Sequence, residues 1–165
     1  MDYSLSDKEI AQYIPNVITY DDLPNYTAEQ VMSNLPLVIL YRTGENYGHW
    51  TLLHRANGHI EFFDSYGYKP DTEFDQMPEA YRLPPYLVQM LYGIGKKEPI
   101  HYNQYKFQAF EPGVSTCGRW CILRHLFNKW TVEEFRGGIM KLCDELEVMP
   151  DEFTVMAVQP KVDQV

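Results

Sequence analysis

No stretch of this chain approaches the roughly 18 consecutive apolar residues that cross a bilayer, so no membrane partner is expected. The opening residues, Met1 to Glu9, are polar and acidic and lack the basic start and apolar run of a secretory signal, so no leader is expected either. Cationic residues are in short supply: Lys and Arg number 14 against 23 Asp and Glu, giving a net charge of −9. Broad nucleic-acid binding needs clustered cations to neutralise phosphates, and that balance argues against it. Basic residues do recur between Lys96 and Lys106 and again at Arg119, Arg124 and Lys129. Cysteine is also scarce. Cys117, Cys121 and Cys143 are an odd set without framework spacing, which argues against a disulfide scaffold and for a reducing compartment. There is no CxxC pair, no internal repeat and no low-complexity segment.

What is present suits one globular domain over residues 1–165, with 45% hydrophobic and 22% charged residues. A short helix is predicted from Leu5 to Ile14, capped by Ser6 or Asp7 and stopped by Pro15, and another from Thr27 to Ser33. The run Leu37 to Tyr41 reads as a buried strand, followed by strands at His49–His54 and His59–Phe63. Asn57-Gly58 between the last two is a strong hairpin signal. Residues 66–85, rich in Pro and Gly, read as a loop, Tyr86–Tyr92 as a helix and Tyr105–Phe110 as a strand. After Pro112-Gly113, helices are predicted over Gly118–Trp130 and Val132–Leu146, the second interrupted at Gly137-Gly138. The expected class is α+β: a small central sheet flanked by helices, with Cys117 where a helix begins.

Four residue types recur in chain order: His49 before Trp50, Asp64, a glutamine, and Cys117 before Gly118. They provide a base, a group to orient it, an oxyanion donor and a thiol nucleophile, the parts that cysteine-dependent acyl transfer requires. A thiolate is favoured at a helix N-terminus and beside an imidazolium, and Cys117 is placed for both. Gly118 would let the backbone approach a substrate. If Asn57-Gly58 closes a hairpin, His49 and Asp64 fall near its open end, where Asp64 could accept the Nδ1–H of His49. Gln108 is preferred as the oxyanion donor, with Gln104 as its rival. Taken singly, each member has an ordinary structural reading: a core cysteine, a turn histidine, an aspartate capping the next turn, a solvated glutamine.

Cys117, Cys121 and His125 could share one helix face, but three ligands stacked on a single helix cannot close a tetrahedral zinc site, so neither metal nor cofactor is expected. Gly137-Gly138 reads as a kink or a close helix contact rather than a processing site.

The set Gly48-His49-Trp50, Phe63-Asp64-Ser65-Tyr66-Gly67, Gln108 and Thr116-Cys117-Gly118 resembles the cysteine protease clan of the adenovirus maturation protease (adenain) and the SUMO-specific proteases. The segments before and after that set, Leu5-Ser6 to Pro15 and Pro150-Asp151-Glu152-Phe153, look more like the adenain-like enzymes of large DNA viruses, virophages and related transposons. The resemblance implies a papain-like core in permuted order, with His49 as general base, Asp64 orienting it, Gln108 as oxyanion donor and Cys117 as nucleophile. It gives Trp50 a place lining the active-site region. It further implies cleavage after small residues, often glycine, in viral capsid or core precursors. The host-cell cytoplasm or nucleus, or the virion itself, is the place of action it implies. An activating peptide, anchored through Cys121 or Cys143, is compatible with it. The DNA cofactor of the adenovirus enzyme is not carried over to so acidic a chain. Removal of ubiquitin-like modifiers, thiol-dependent acetyl transfer, and a non-catalytic binding module on the same fold are the alternatives.

Overall fold

A computed structural model describes residues 3–44, 48–111 and 113–161. Tyr47 and Pro112, which flank predicted site segments, lie outside the described residues. The elements in chain order are α1 (Asp7–Ala11), β1 (Asn16–Thr19), α2 (Ala28–Ser33), β2 (Leu37–Arg42), β3 (Gly48–Ala56), β4 (His59–Phe63), α3 (Tyr86–Gly95), β5 (Ile100–Tyr102), α4 (Cys117–Leu126), α5 (Val132–Leu146) and α6 (Pro150–Ala157). This is a mixed α+β fold around one open five-stranded sheet in the order β1-β2-β3-β4-β5. The outer pairs β1–β2 and β4–β5 are parallel, and the central pairs β2–β3 and β3–β4 are antiparallel.

Strand alternation divides the core between the two faces. Val38, Leu52 and Phe63 join Trp120, Cys121 and Phe135 on the side of α4 and α5. Their neighbours Leu37, Ile39, Leu53 and Phe62 join Tyr20, Leu87 and Leu91 on the side of α3. Burying both faces explains why β2 reads as a continuous apolar run rather than an alternating one.

Local chemistry sets the element ends. Ser6, Thr27 and Thr131 each form a capping box with the residue three positions on, satisfying donors that the helix leaves free. Asn57 and Gly58 both take positive φ, 51° and 78°, which a two-residue hairpin turn of type I′ requires.

Four sequence expectations are corrected. Residues 105–110 form no strand; β5 lies earlier, at Ile100–Tyr102. The Asn103 side chain bonds both the N–H and the C=O of Tyr105, folding the chain into a turn that ends the ladder. Helix α4 stops at Leu126 rather than Trp130, because the carbonyls of Phe127 and Trp130 turn back onto the Arg124 guanidinium. Helix α5 runs uninterrupted through Gly137-Gly138. Gly138 serves close packing there, since a Cβ would come within 2.9 Å of the Trp130 ring. Finally, β1, α6 and three short 3-10 turns (Tyr20–Asn25, Thr72–Gln76, Glu79–Tyr81) add structure where none was predicted.

Candidate active site

The β3–β4 hairpin determines where His49 and Asp64 meet. Leu52 pairs with Phe63, so Asp64 follows directly at the open end of the hairpin. The same register carried past β4 sets His49 opposite Tyr66, whose ring stacks on the imidazole with centroids 4.7 Å apart. Gly48 is needed just before it, as a Cβ there would lie 2.7 Å from the Tyr41 carbonyl oxygen. His49 Nε2 stands 2.9 Å from Asp64 Oδ1. The nitrogen bonded to Asp64 is thus Nε2 and not the expected Nδ1. Nδ1 remains for exchange with a second group. Asp64 Oδ1 also accepts the Tyr66 N–H at 2.8 Å, so the residue caps its turn as well as orienting the histidine.

Cys117 is the first residue of α4 and its Sγ accepts the Trp50 N–H at 3.4 Å. The first-turn N–H groups of α4 have no partners within the helix, so the sulfur sits where negative charge is favoured. One turn on, Cys121 lies fully buried and donates to the Trp50 carbonyl at 3.5 Å. Burial pushes the Cys121 thiol well up. The two cysteines therefore bracket one residue of β3 but differ in access: Cys117 lines a cavity and Cys121 does not. Cys143 is buried too, and neither of the two proposed peptide anchors lines that cavity.

An open cavity of about 810 Å³ is lined by His49, Trp50, Gln108 and Cys117, together with Tyr66, Glu73, Phe110 and the segment Ser4–Ser6. Gln108 is positioned from both ends. Its Oε1 accepts the Ser65 hydroxyl at 2.8 Å, and its Nε2 donates to the Val114 carbonyl at 3.2 Å, leaving a second N–H on the same nitrogen. Gln104 is exposed and does not line the cavity. Trp50 lines the cavity and donates from Nε1 to the Leu5 carbonyl at 3.2 Å, tying the N-terminal segment to the site.

Gly118 does not fill the substrate-facing place expected of it. It is buried, and a Cβ would meet Ile10 at 3.1 Å and Trp50 at 3.2 Å. Its small size lets α1 and Trp50 close on the first turn of α4.

Two carboxylates were not singled out in the sequence. Asp151, at the start of α6, accepts from the Thr116 hydroxyl at 2.6 Å, the Trp120 indole at 3.0 Å and the Ala109 N–H at 2.9 Å. It thereby joins the residue after Gln108 to the residue before Cys117. Glu73, in the turn Thr72–Gln76, places Oε1 3.8 Å from His49 Nε2. His49 is buried, which works against its charged form, but Asp64, Glu73 and Cys117 outweigh that and raise its pKa well above the ordinary value.

His49, Asp64 and Glu73 each offer a ligand atom within 4.8 Å of the others. A cation there would have to displace the hydrogen that Nε2 shares with Asp64, so the cluster is read as an acid–base network. Cys121 and His125 do not converge with Cys117: Cys121 bonds the Trp50 carbonyl, and His125 Nδ1 stands 3.1 Å from His54 Nδ1.

Among the described residues, no helix is long and apolar enough to cross a membrane. No family model matches the sequence, and no solved structure matches it. The chain is 35% identical over 164 aligned residues to the uncharacterized protein V9 of Sputnik virophage, an alignment covering 93% of each. At that identity and coverage, the chain belongs to the viral family that includes protein V9 of Sputnik virophage.

Proposed function

We propose that the chain is a cysteine endopeptidase that cleaves after small residues, glycine foremost, and matures viral capsid or core precursors. The observation supporting this reading is the convergence of His49, Asp64, Gln108 and Cys117, distant in sequence, at one cavity with the thiol at a helix N-terminus. The order of these residues, strands first and nucleophilic helix last, fits a papain-like core in permuted order. The preference for glycine follows the resemblance to adenain-like enzymes.

In this mechanism the Cys117 thiolate, paired with His49 imidazolium, attacks the scissile carbonyl carbon. The oxyanion is met by the second Nε2–H of Gln108 and the backbone N–H of Cys117. As the C–N bond breaks, His49 gives its proton to the leaving amine, and a thioester to Cys117 remains. Water then attacks the thioester, losing a proton to His49, and the acid product leaves as the thiolate–imidazolium pair is restored. Asp64 holds Nε2 throughout, which keeps Nδ1 as the nitrogen that exchanges protons.

The test is cleavage of a Gly-Gly-X reporter peptide. Cys117→Ala should lower kcat/KM by about 10⁴-fold or more. Cleavage at the wild-type rate by that variant would sink the reading.

A further inference from the structure

Glu73 has no evident structural reason for its position. It is buried, 8% exposed, and among the described residues its Oε2 has no hydrogen-bond partner. A carboxyl kept for packing or for a structural bond is ordinarily satisfied, because leaving a buried polar oxygen unpaired is costly. Its other oxygen, Oε1, lies 3.8 Å from the nitrogen that bonds Asp64, on the wall of the cavity that Cys117 also lines.

We propose that Glu73 is a positioning residue for His49: a second carboxylate that, with Asp64, holds the imidazole in its charged form beside Cys117. The proposal rests on the reading of His49 and Cys117 as the acting pair. The charged and titratable groups that act on His49 are Asp64 beyond β4, Glu73 in its turn and Cys117 on α4, with Tyr66 stacked on the ring. Glu9 of α1 also lines the cavity, but its carboxylate is held by the Ser6 N–H at 3.0 Å.

Burial, tempered by His49, brings the Glu73 carboxyl up to about 7. Below that value Glu73 is neutral and Asp64 alone supports the imidazolium. Above it Glu73 becomes anionic, and the imidazolium gains a second counter-charge as neutral pH is passed. An anionic neighbour raises the pKa of a cation, so removing Glu73 should let His49 lose its proton at lower pH. The expected phenotype is therefore a thiolate–imidazolium window that closes early on its alkaline side.

The experiment is the pH profile of Cys117 alkylation by iodoacetate, an anionic reagent favoured while the imidazolium keeps its proton. Of the three buried cysteines it is Cys117 that lines the open cavity, which makes it the reporting thiol. Wild type should give a bell-shaped profile. In Glu73→Gln, of nearly equal shape, the alkaline limb should move down by about one pH unit. Glu73→Asp, which keeps the charge, should recover most of that shift. A folded Gln variant with an unmoved alkaline limb would overturn the proposal. If the Gln variant does not fold, the imidazole resonances of His49 in wild type decide the matter. A step near pH 7 from Glu73 ionisation supports the proposal, and a flat response through that range overturns it. A wild-type profile with no bell, and Cys117 no faster than an ordinary thiol, would overturn the endopeptidase reading and this proposal with it.

Discussion

His49 and His54 stand on the same strand, each within hydrogen-bond reach of a carboxylate, at 2.9 Å from Asp64 and 2.8 Å from Glu61. Their surroundings drive them in opposite directions. Beyond the His54–Glu61 pair lies Arg124, which grips both Glu61 oxygens at 2.8 and 3.0 Å. The carboxylate is already neutralised by a fixed cation. Burial then dominates at His54, its pKa is lowered, and His125, whose nitrogen stands 3.1 Å away, is pushed down to about 4. At His49 no fixed cation competes among the described residues. Two carboxylates and a cysteine face the ring, and its pKa rises. The two sites also lie at opposite ends of α4, with Cys117 at its start and Arg124 and His125 near its end. A histidine–carboxylate pair is thus poised for chemistry where the balancing cation is the imidazole itself, and locked for structure where an arginine takes that role.

The sharpest way to break the comparison is to remove the arginine. Arg124 is fully buried and Glu61 is 3% exposed. Burial opposes the Glu61 charge, yet the bonds from His54 and Arg124 outweigh it and keep the carboxyl below its usual range. Arg124→Met would strand that carboxylate, at a cost of about 3–5 kcal/mol. A urea melt should show this loss, while the protein that stays folded keeps the Cys117 alkylation profile. A stability loss under 1 kcal/mol would mean the lock is no lock. At the other end of α4 the matching variant is Asp151→Ala. It frees Thr116, Trp120 and Ala109 together, loosening both the nucleophile and the oxyanion segment. Misplacement on the order of 1 Å costs about 10²-fold in rate, so kcat on the reporter peptide should fall by about 10- to 100-fold with KM changed far less. A change in KM alone would place Asp151 outside the positioning of these groups.

The comparison also separates what the sequence displayed from what it concealed. Asn57-Gly58 announced the hairpin, and hairpin register then put His49 and Asp64 at one end. The order His, Asp, Gln, Cys was legible because each type has few roles in acyl transfer. Glu73 was hidden because it sits in a Pro- and Gly-rich stretch, residues 66–85, that gave no periodicity to place it by. Asp151 was hidden for a different reason: it is 35 residues from Thr116, and no local pattern reports a contact made by folding α6 back onto α4. Gly118 was legible as a glycine but not in its use, since a close approach of helix and strand looks the same in sequence as a close approach of substrate. The His54–Glu61–Arg124 network left no trace at all, although strand alternation puts His54 and Glu61 on the α4 face while His49 takes the other.

The smallest effect expected is the most direct test of the opposition between the two histidine sites, because it predicts a difference in sign. His49 has a raised pKa in the fold, so its contribution to stability is fully present below its ordinary value of about 6.5. It is lost as pH rises through the folded value. His54 and His125 have lowered pKa values, so the unfolded chain takes up protons near pH 6.5 that the folded chain refuses. They pull stability down as pH falls from about 6.5 toward 4. One proton of difference gives at most about 1.4 kcal/mol per pH unit, and His125, roughly half buried, should give a fraction of that. Chemical melts from about pH 4.5 to 9 should therefore show His49→Gln losing a constant increment up to about pH 6.5 and progressively less above it. His125→Asn should flatten the acid-side decline relative to wild type. If both variants shift the acid side in the same direction, the two ends of α4 do not differ in the way their charges imply.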